Sequence, residues 1–287
     1  MSSALSNREW SPNRGAGLPS IAGASHVGAV RRINQDAFGR FDDPDRGETL
    51  LVVADGLGGH RGGEVASRMA IDLLGPLVGA GEEPPALRLT RAIEEANRQI
   101  HEAARVDYTL EGMGTTVVCL LIARDGPCHV AHVGDSRLYR LRAECFEPMT
   151  EDHSLVATLV REGVIRPEEA RTDPRKNQIL RALGVRKEVE IDVAAVDPRP
   201  GDVYLLCTDG LHGLLEDFEI RNLALEHPEP EIAVERLIYA ANRAGGTDNV
   251  TCMLARFPET PPGPRWRMGA QRLLASVRSW LPPRRPR

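Results

Sequence analysis

Apolar residues in this chain fall into two patterns. Unbroken runs such as Leu50-Leu51-Val52-Val53-Ala54 and Val203-Tyr204-Leu205-Leu206-Cys207 predict short buried strands. Ala22–Val30, Ala37–Phe41 and Thr49–Asp55 read as strands in the first part of the chain. Between Pro85 and Arg105 the pattern changes: Leu87, Ile93, Ala96, Ile100 and Ala103 recur at helical spacing, and Gly63–Val78 reads as a helix before them. Thr115–Ala123 and Cys128–Val133 are apolar, β-branched runs joined by Arg124-Asp125-Gly126-Pro127, a hairpin signal. Ser136–Arg142 alternates and is expected to extend that meander. Strands that follow one another in mid-chain, with helices arriving in pairs, predict an α+β fold. Its antiparallel sheets would carry helices packed outside them, unlike a doubly wound βαβ sheet.

Three segments depart from this regime. Residues 1–20 are polar, with Pro and Gly and no apolar core; they read as a disordered leader and not as a secretory signal. Residues 21–257 read as one domain. Within it, Glu151–Arg186 is charged and strand-poor after a short amphipathic helix at Ser154–Arg161, the composition of a surface flap. From Pro258 to Pro264 the chain is Pro-rich, and residues 265–287 hold seven arginines and no acidic residue. Trp266, Leu273, Leu274, Val277, Trp280 and Leu281 fall mostly on one helical stripe there. Such a tail can lie on an anionic membrane surface, dock on an acidic partner, or pack back on the acidic body.

At 287 residues, 41% hydrophobic and 27% charged, the chain has the make-up of a soluble globular protein. Its net charge of −5 argues against general nucleic-acid binding. No apolar run approaches the roughly 18–20 residues of a membrane span. The five cysteines are odd in number and dispersed, which fits buried free thiols in a reducing cytoplasm.

Four acidic loops carry the chemistry: Asn34-Gln35-Asp36, Asp55-Gly56-Leu57-Gly58-Gly59, Asp209-Gly210 and Thr247-Asp248-Asn249. One Asp-Gly is ordinary turn chemistry. Four such loops, each with an Asp at or near the end of an apolar run, point to a multi-carboxylate metal centre. Oxygen donors without His or Cys in the same loops suit magnesium or manganese rather than zinc. Carboxylates grouped in this way can hold two cations roughly 3.5–4 Å apart and lower the pKa of a bridging water. Arg31, five residues before Asp36, can supply a two-pronged donor to a phosphate. In-line attack by metal-bound hydroxide would then need no protein nucleophile, and consistently the chain has no Gly-x-Ser-x-Gly, Cys-x5-Arg or Gly-x4-Gly-Lys-Ser/Thr motif.

From about Ser25 to Arg256 the chain resembles the metal-dependent Ser/Thr protein phosphatases of type 2C, in their compact bacterial form. Gly28-Ala29-Val30-Arg31-Arg32-Ile33-Asn34-Gln35-Asp36 is similar to the family's Arg-x-x-Asn-Glu-Asp element, and Asp55-Gly56-Leu57-Gly58-Gly59-His60 to Asp-Gly-Met-Gly-Gly-His. Gly114-Thr115-Thr116, Gly134-Asp135-Ser136-Arg137, Thr150-Glu151-Asp152-His153-Ser154, Leu180-Arg181-Ala182-Leu183-Gly184, Thr208-Asp209-Gly210-Leu211 and Gly246-Thr247-Asp248-Asn249-Val250-Thr251 follow in family order. The ordered series is far more specific than any single motif.

The resemblance implies a four-layer α-β-β-α sandwich: two antiparallel sheets flanked by antiparallel helix pairs. It implies that Asp55 bridges two tightly bound ions, Mn2+ or Mg2+, and that the Gly56 carbonyl completes one shell. Asp209 and Asp248 would hold the other ion, Asp36 would orient the attacking water, Arg31 would bind the substrate phosphate, and Asp135 would help Asp209 hold a third, weaker ion. The implied reaction is hydrolysis of phosphoserine and phosphothreonine in proteins, reversing a bacterial Ser/Thr kinase, by a cytoplasmic monomer. A catalytically silent phosphoprotein-binding scaffold and a phosphatase of small esters are the alternatives. Gln35 departs from the family's usual Glu, and Leu57 stands where eukaryotic relatives carry a His proposed as general acid. His132 reads as a hydrogen-bonded residue of the core or one supporting a ligand, His153 as a helix cap or flap anchor, and Arg181 as packing or pairing beneath the flap, with a role in the cleft as the alternative.

Overall fold

The computed structural model describes residues 17–58, 62–124 and 126–259. The leader through Ala16, His60, Asp125 and the whole basic tail therefore lie outside the described residues. One sheet contains β1 (Ser20–His26), β11 (Val250–Arg256), β10 (Val203–Cys207), β7 (Arg137–Arg142) and β8 (Cys145–Pro148), in that order. The other contains β2 (Asp36–Asp43), β3 (Glu48–Leu57), β5 (Val117–Ala123), β6 (Cys128–Val133) and β9 (Asp192–Val196), with the short β4 (Gly114–Thr115) paired to the end of β3. Every pairing is antiparallel.

The unbroken apolar runs arise because each inner strand is covered on both faces. In β3, Leu50, Val52 and Ala54 face the helices α1 (Gly62–Ala80) and α2 (Pro85–Val106), while Leu51 and Val53 face the opposite sheet. In β10, Val203, Leu205 and Cys207 pack on α5 (Asp209–His212), α6 (Asp217–Glu226) and α7 (Pro230–Arg243), and Tyr204 and Leu206 turn inward. Three apolar layers thus separate helices, sheet, sheet and helices, the four-layer α+β sandwich expected. Helix α2 opens with Pro85 at its first turn, where a missing N–H costs nothing. Its buried stripe runs through Leu89, Ile93, Ala96 and Ile100, leaving Leu87 41% exposed.

Two expectations need correction. The first strand stops at His26, not Val30, because Gly28 has φ +84° and packs against the loop before β11: a Cβ on it would come within 2.2 Å of the Asp248 carbonyl oxygen. The chain cannot continue as a strand there. The run at 136–142 does not extend the β5–β6 hairpin either. At Gly134 the backbone takes φ +109°, and the chain crosses so that β7 pairs with β10 and β8. This crossing places Asp135 between the two sheets.

Between Glu151 and Arg186 the chain forms α3 (Leu155–Arg161) and α4 (Pro167–Ala170) and no strand. Ser154, not His153, caps α3 by accepting from the Ala157 N–H. Leu155 N–H donates to the Gln178 carbonyl and Leu180 N–H to the His153 carbonyl, so the two ends of the excursion are tied together.

Candidate metal centre

Four strand ends bring the carboxylates to one edge of the sandwich. Asp36 opens β2 and pairs across the ladder with Asp55, near the end of β3. In the other sheet β10 ends at Cys207, and after Thr208 the chain enters α5 at Asp209; Asp248 and Asn249 immediately precede β11. The carboxyls of Asp209 and Asp55 are near enough to act on each other's ionisation. Thr208 Oγ1 donates to Asp36 Oδ2 at 2.9 Å, a bond between the two sheets. Arg31 Nη2 lies 2.9 Å from Asp248 Oδ2 with the Arg side chain 52% exposed. Asp135, Asp209, Asp248 and Arg31 line a cleft of about 470 Å³ whose outer wall is Val156 of α3 and Pro167 and Ala170 of α4. All the carboxylates singled out in the sequence therefore converge.

Residues to which the sequence reading attaches no role hold this geometry. Asn249 Nδ2 donates to the Val27 and Ile33 carbonyls at 2.9 Å each, and its Oδ1 accepts from the Gln35 N–H at 2.8 Å. One amide thus shapes the loop that carries Arg31 and ends at Asp36. Thr115 Oγ1 and the Thr116 N–H both donate to the Asp55 carbonyl at 2.8 Å, while Thr116 Oγ1 accepts from the Asp55 N–H at 3.0 Å. Gly56 has no room for a side chain, since a Cβ would meet the Gly63 carbonyl oxygen at 2.1 Å. Asn249→Ala is expected to lower stability by roughly 1–3 kcal/mol, because two carbonyls and one N–H lose their partner. A urea midpoint unchanged from the parent would contradict this.

Collecting carboxylates in a buried place raises their pKa values. Burial pushes Asp36 up to about 7, partly offset by its threonine hydrogen bonds and reinforced by Asp209 and Asp248. Asp135 is pushed up to about 8 by burial and then by Asp209 and Asp152. Asp209 rises to about 6 through burial and Asp248. Asp55 rises well above the usual range through burial, then Asp36, Asp209, Asp135 and Asp248. Asp36 Oδ1 and Asp135 Oδ1 are buried without a hydrogen-bond partner. A buried carboxylate oxygen left unpaired is costly, and divalent cations are the ligands an all-oxygen set of this charge would accept. The residues fit a magnesium or manganese centre.

A second cluster does not. His132, His153 and Asp192 offer ligand atoms within 4.8 Å of one another. The rings are stacked at 4.6 Å, and His132 Nε2 donates to the Glu151 carbonyl at 2.9 Å. Gly134 N–H donates to His153 Nδ1, which leaves the proton of the neutral ring on Nε2 and no lone pair there for a metal. The Arg181 guanidinium already supplies positive charge there, its Nη1 donating to Asp192 Oδ1 at 3.0 Å. Arg181 also pairs with Glu190 at 2.6 Å, as expected of a residue at the flap base.

The profile of the family described as Protein phosphatase 2C matches residues 22–255. The chain is 40% identical over 235 residues to the serine/threonine phosphatase stp of Listeria innocua, covering 79% of this chain and 91% of that one. The crystal structure of Stp1 from Staphylococcus aureus superposes with a TM-score of 0.78 at 34% identity, over 84% of this chain and 95% of that one. The catalytic domain of PstP, crystallised in complex with 2 manganese ions, superposes with a TM-score of 0.72 at 37% identity, over 84% and 99% of the two chains. The chain belongs to the protein phosphatase 2C family. It is a metal-dependent protein phosphatase.

Proposed function

We propose that Asp55, the Gly56 carbonyl, Asp209 and Asp248 hold two divalent cations, Mn2+ or Mg2+, that Asp135 and Asp209 share a third and weaker one, and that the enzyme hydrolyses phosphoserine and phosphothreonine in proteins. When bound, the cations supply Lewis acidity that activates water and neutralises phosphate oxygens. Asp36, held by Thr208, orients that water from behind. Arg31 exchanges its exposed contact with Asp248 for two hydrogen bonds to the substrate phosphate. The observation that carries the reading is the pair of partnerless buried oxygens on Asp36 and Asp135 within a five-aspartate cluster at a cleft. A catalytically silent scaffold would not need this costly arrangement. The charged flap segment that carries α3 and α4 beside the cleft favours protein substrates over small esters.

On this reading the partners are phosphorylated proteins and, indirectly, the kinase that modifies them, and the enzyme acts as a cytoplasmic monomer. Four cysteines are buried and none is bridged among the described residues, which supports a reducing compartment. No helix of the described residues is long and apolar enough to cross a membrane.

The test is release of phosphate from phosphothreonine and phosphotyrosine peptides, in Mn2+ and in chelator, for the parent and for Arg31→Ala. The parent should act on phosphothreonine in Mn2+ only. An exposed ion pair contributes only about 0–1 kcal/mol to stability, so Arg31→Ala should melt like the parent. Its KM should rise roughly ten- to a hundredfold, the loss of a charge-assisted contact to phosphate. Turnover in chelator would refute the metal reading, and an unchanged KM would return Arg31 to the solvated surface.

A further inference from the structure

The Gly134–Asp135 dipeptide is gripped from both sides by buried imidazoles. His212 Nε2 lies 3.0 Å from the Asp135 carbonyl oxygen. A carbonyl can only accept, so this nitrogen carries the ring proton. On the other side the Gly134 N–H points at His153 Nδ1 at 3.1 Å. An amide N–H can only donate, so this nitrogen is bare. The Gly134 carbonyl also accepts from the His153 backbone N–H at 3.0 Å. His212 is 7% exposed and His153 8%. Each ring is braced in turn. His153 stacks on His132 and has Asp192 Oδ2 3.5 Å from its Nε2. His212 closes the single turn of α5 that Asp209 opens, so one short helix bears both the Asp209 carboxylate and the hold on Asp135.

This grip acts on backbone atoms and not on the carboxylate. His212 holds the peptide after the Asp135 Cα, and the His153 backbone N–H holds the peptide before it. The His153 ring secures the next peptide back through the Gly134 N–H, so the direction of the Asp135 Cα–Cβ bond is fixed. Gly134 packs directly on Thr116, where a Cβ would come within 2.5 Å of Thr116 Cγ2. The carboxylate so aimed keeps one oxygen buried and partnerless. Hydrogen bonds that orient a ligand from behind commonly change metal affinity without touching the metal.

We propose that His212 and His153 are positioning residues that aim Asp135 at a cation shared with Asp209, and so set the affinity of the weakest cation site. The inference rests on the assignment of Asp135 made above. It identifies two histidines from different parts of the chain as one device, and it links the flap base to the metal centre, since His153 also accepts the flap's Leu180 N–H on its carbonyl.

The experiment is Mn2+ titration of the full chain by calorimetry, with electron paramagnetic resonance counting bound ions, and melting in chelator as the control for folding. Glutamine can place an amide N–H about where Nε2–H lies, whereas asparagine is too short to reach. His212→Asn should weaken the last Mn2+ binding step by about ten- to a hundredfold while leaving the tighter steps within about threefold, and His212→Gln should recover most of the loss. Should a His212 variant not fold, the comparison is repeated from the other side. His153→Asn offers an oxygen to the Gly134 N–H and should be mild; His153→Leu offers none and should be severe. Parent-like binding in His212→Asn, or a loss shared by all steps together with melting temperature, would overturn the positioning role. Asp135→Asn is the reference. If it leaves the last step intact, Asp135 is not a ligand and both the assignment and the inference fall. If it removes that step while the histidine variants keep it, the inference alone falls.

Discussion

Asp209→Asn is expected to abolish turnover and, at the same time, to make the chelated protein more stable at pH 8. The two effects have one origin. Asp209 is half-buried, beside Asp55 and Asp248, and holds its charge there at a cost that shows as a pKa raised to about 6 by burial and then by Asp248. An amide of the same shape removes a charge crowded among other carboxylates, so the metal-free fold gains. Turnover loses a ligand to the cations, and several kcal/mol of transition-state stabilisation rest on them. At 1.36 kcal/mol per tenfold, this is a thousandfold or more, roughly. Asp55→Asn should behave alike, with the larger gain in metal-free stability because burial and then four neighbouring carboxylates raise its pKa well above the usual range. Activity within tenfold of the parent, measured at saturating Mn2+, would remove Asp209 from the centre. A lower melting temperature in chelator would show that its charge supports the fold instead of straining it.

The amount of this centre that could be read along the chain depended on whether the signal was local. The inner strands declared themselves because both faces are apolar: β3, β5 and β10 are buried at nearly every position. Edge strands did not. β9, with three of its five residues exposed, carries no pattern that a loop would lack, and β8 is similar. The assignment of 136–142 to the wrong sheet has the same root. Alternation in Arg137–Arg142 is genuine, but which sheet it joins is decided by a positive φ at Gly134 that no periodicity records. At the site, each Asp was visible beside its apolar run, and the ordered motifs supplied their grouping. The hydroxyls and amides that hold them were not legible. Thr208 looks like the end of a strand until its hydroxyl is found 2.9 Å from Asp36, 172 residues away. Asn249 reads as turn chemistry until its amide is seen to satisfy three backbone groups of a loop more than two hundred residues earlier. His212 and His153 likewise act on a dipeptide that is distant in the chain from both.

Stability of the metal-free protein should fall as pH rises from about 5 to 8, and Mn2+ should reverse the trend. The unfolded chain has ordinary carboxyls, near 3.8, whereas the folded one holds Asp209 up at about 6, Asp36 at about 7, Asp135 at about 8 and Asp55 well above the usual range. Between these limits the folded state binds more protons than the unfolded state, so raising the pH favours unfolding. The contribution is complete below the unfolded value and is lost as pH climbs through 6 to 8. Cation binding runs the other way. The ligands must shed those same protons to bind, so affinity increases with pH. At a free concentration about a thousand times the dissociation constant, binding adds about 4 kcal/mol, which raises the melting temperature by roughly 8–16 °C in a domain of this size. The gap between melting curves in Mn2+ and in chelator should therefore be small at pH 5.5 and widen steadily toward pH 8, with most of the widening removed in Asp209→Asn. A gap that stayed constant across that range would mean that the buried carboxyls are already ionised without metal, and that the cleft holds enough water to solvate them.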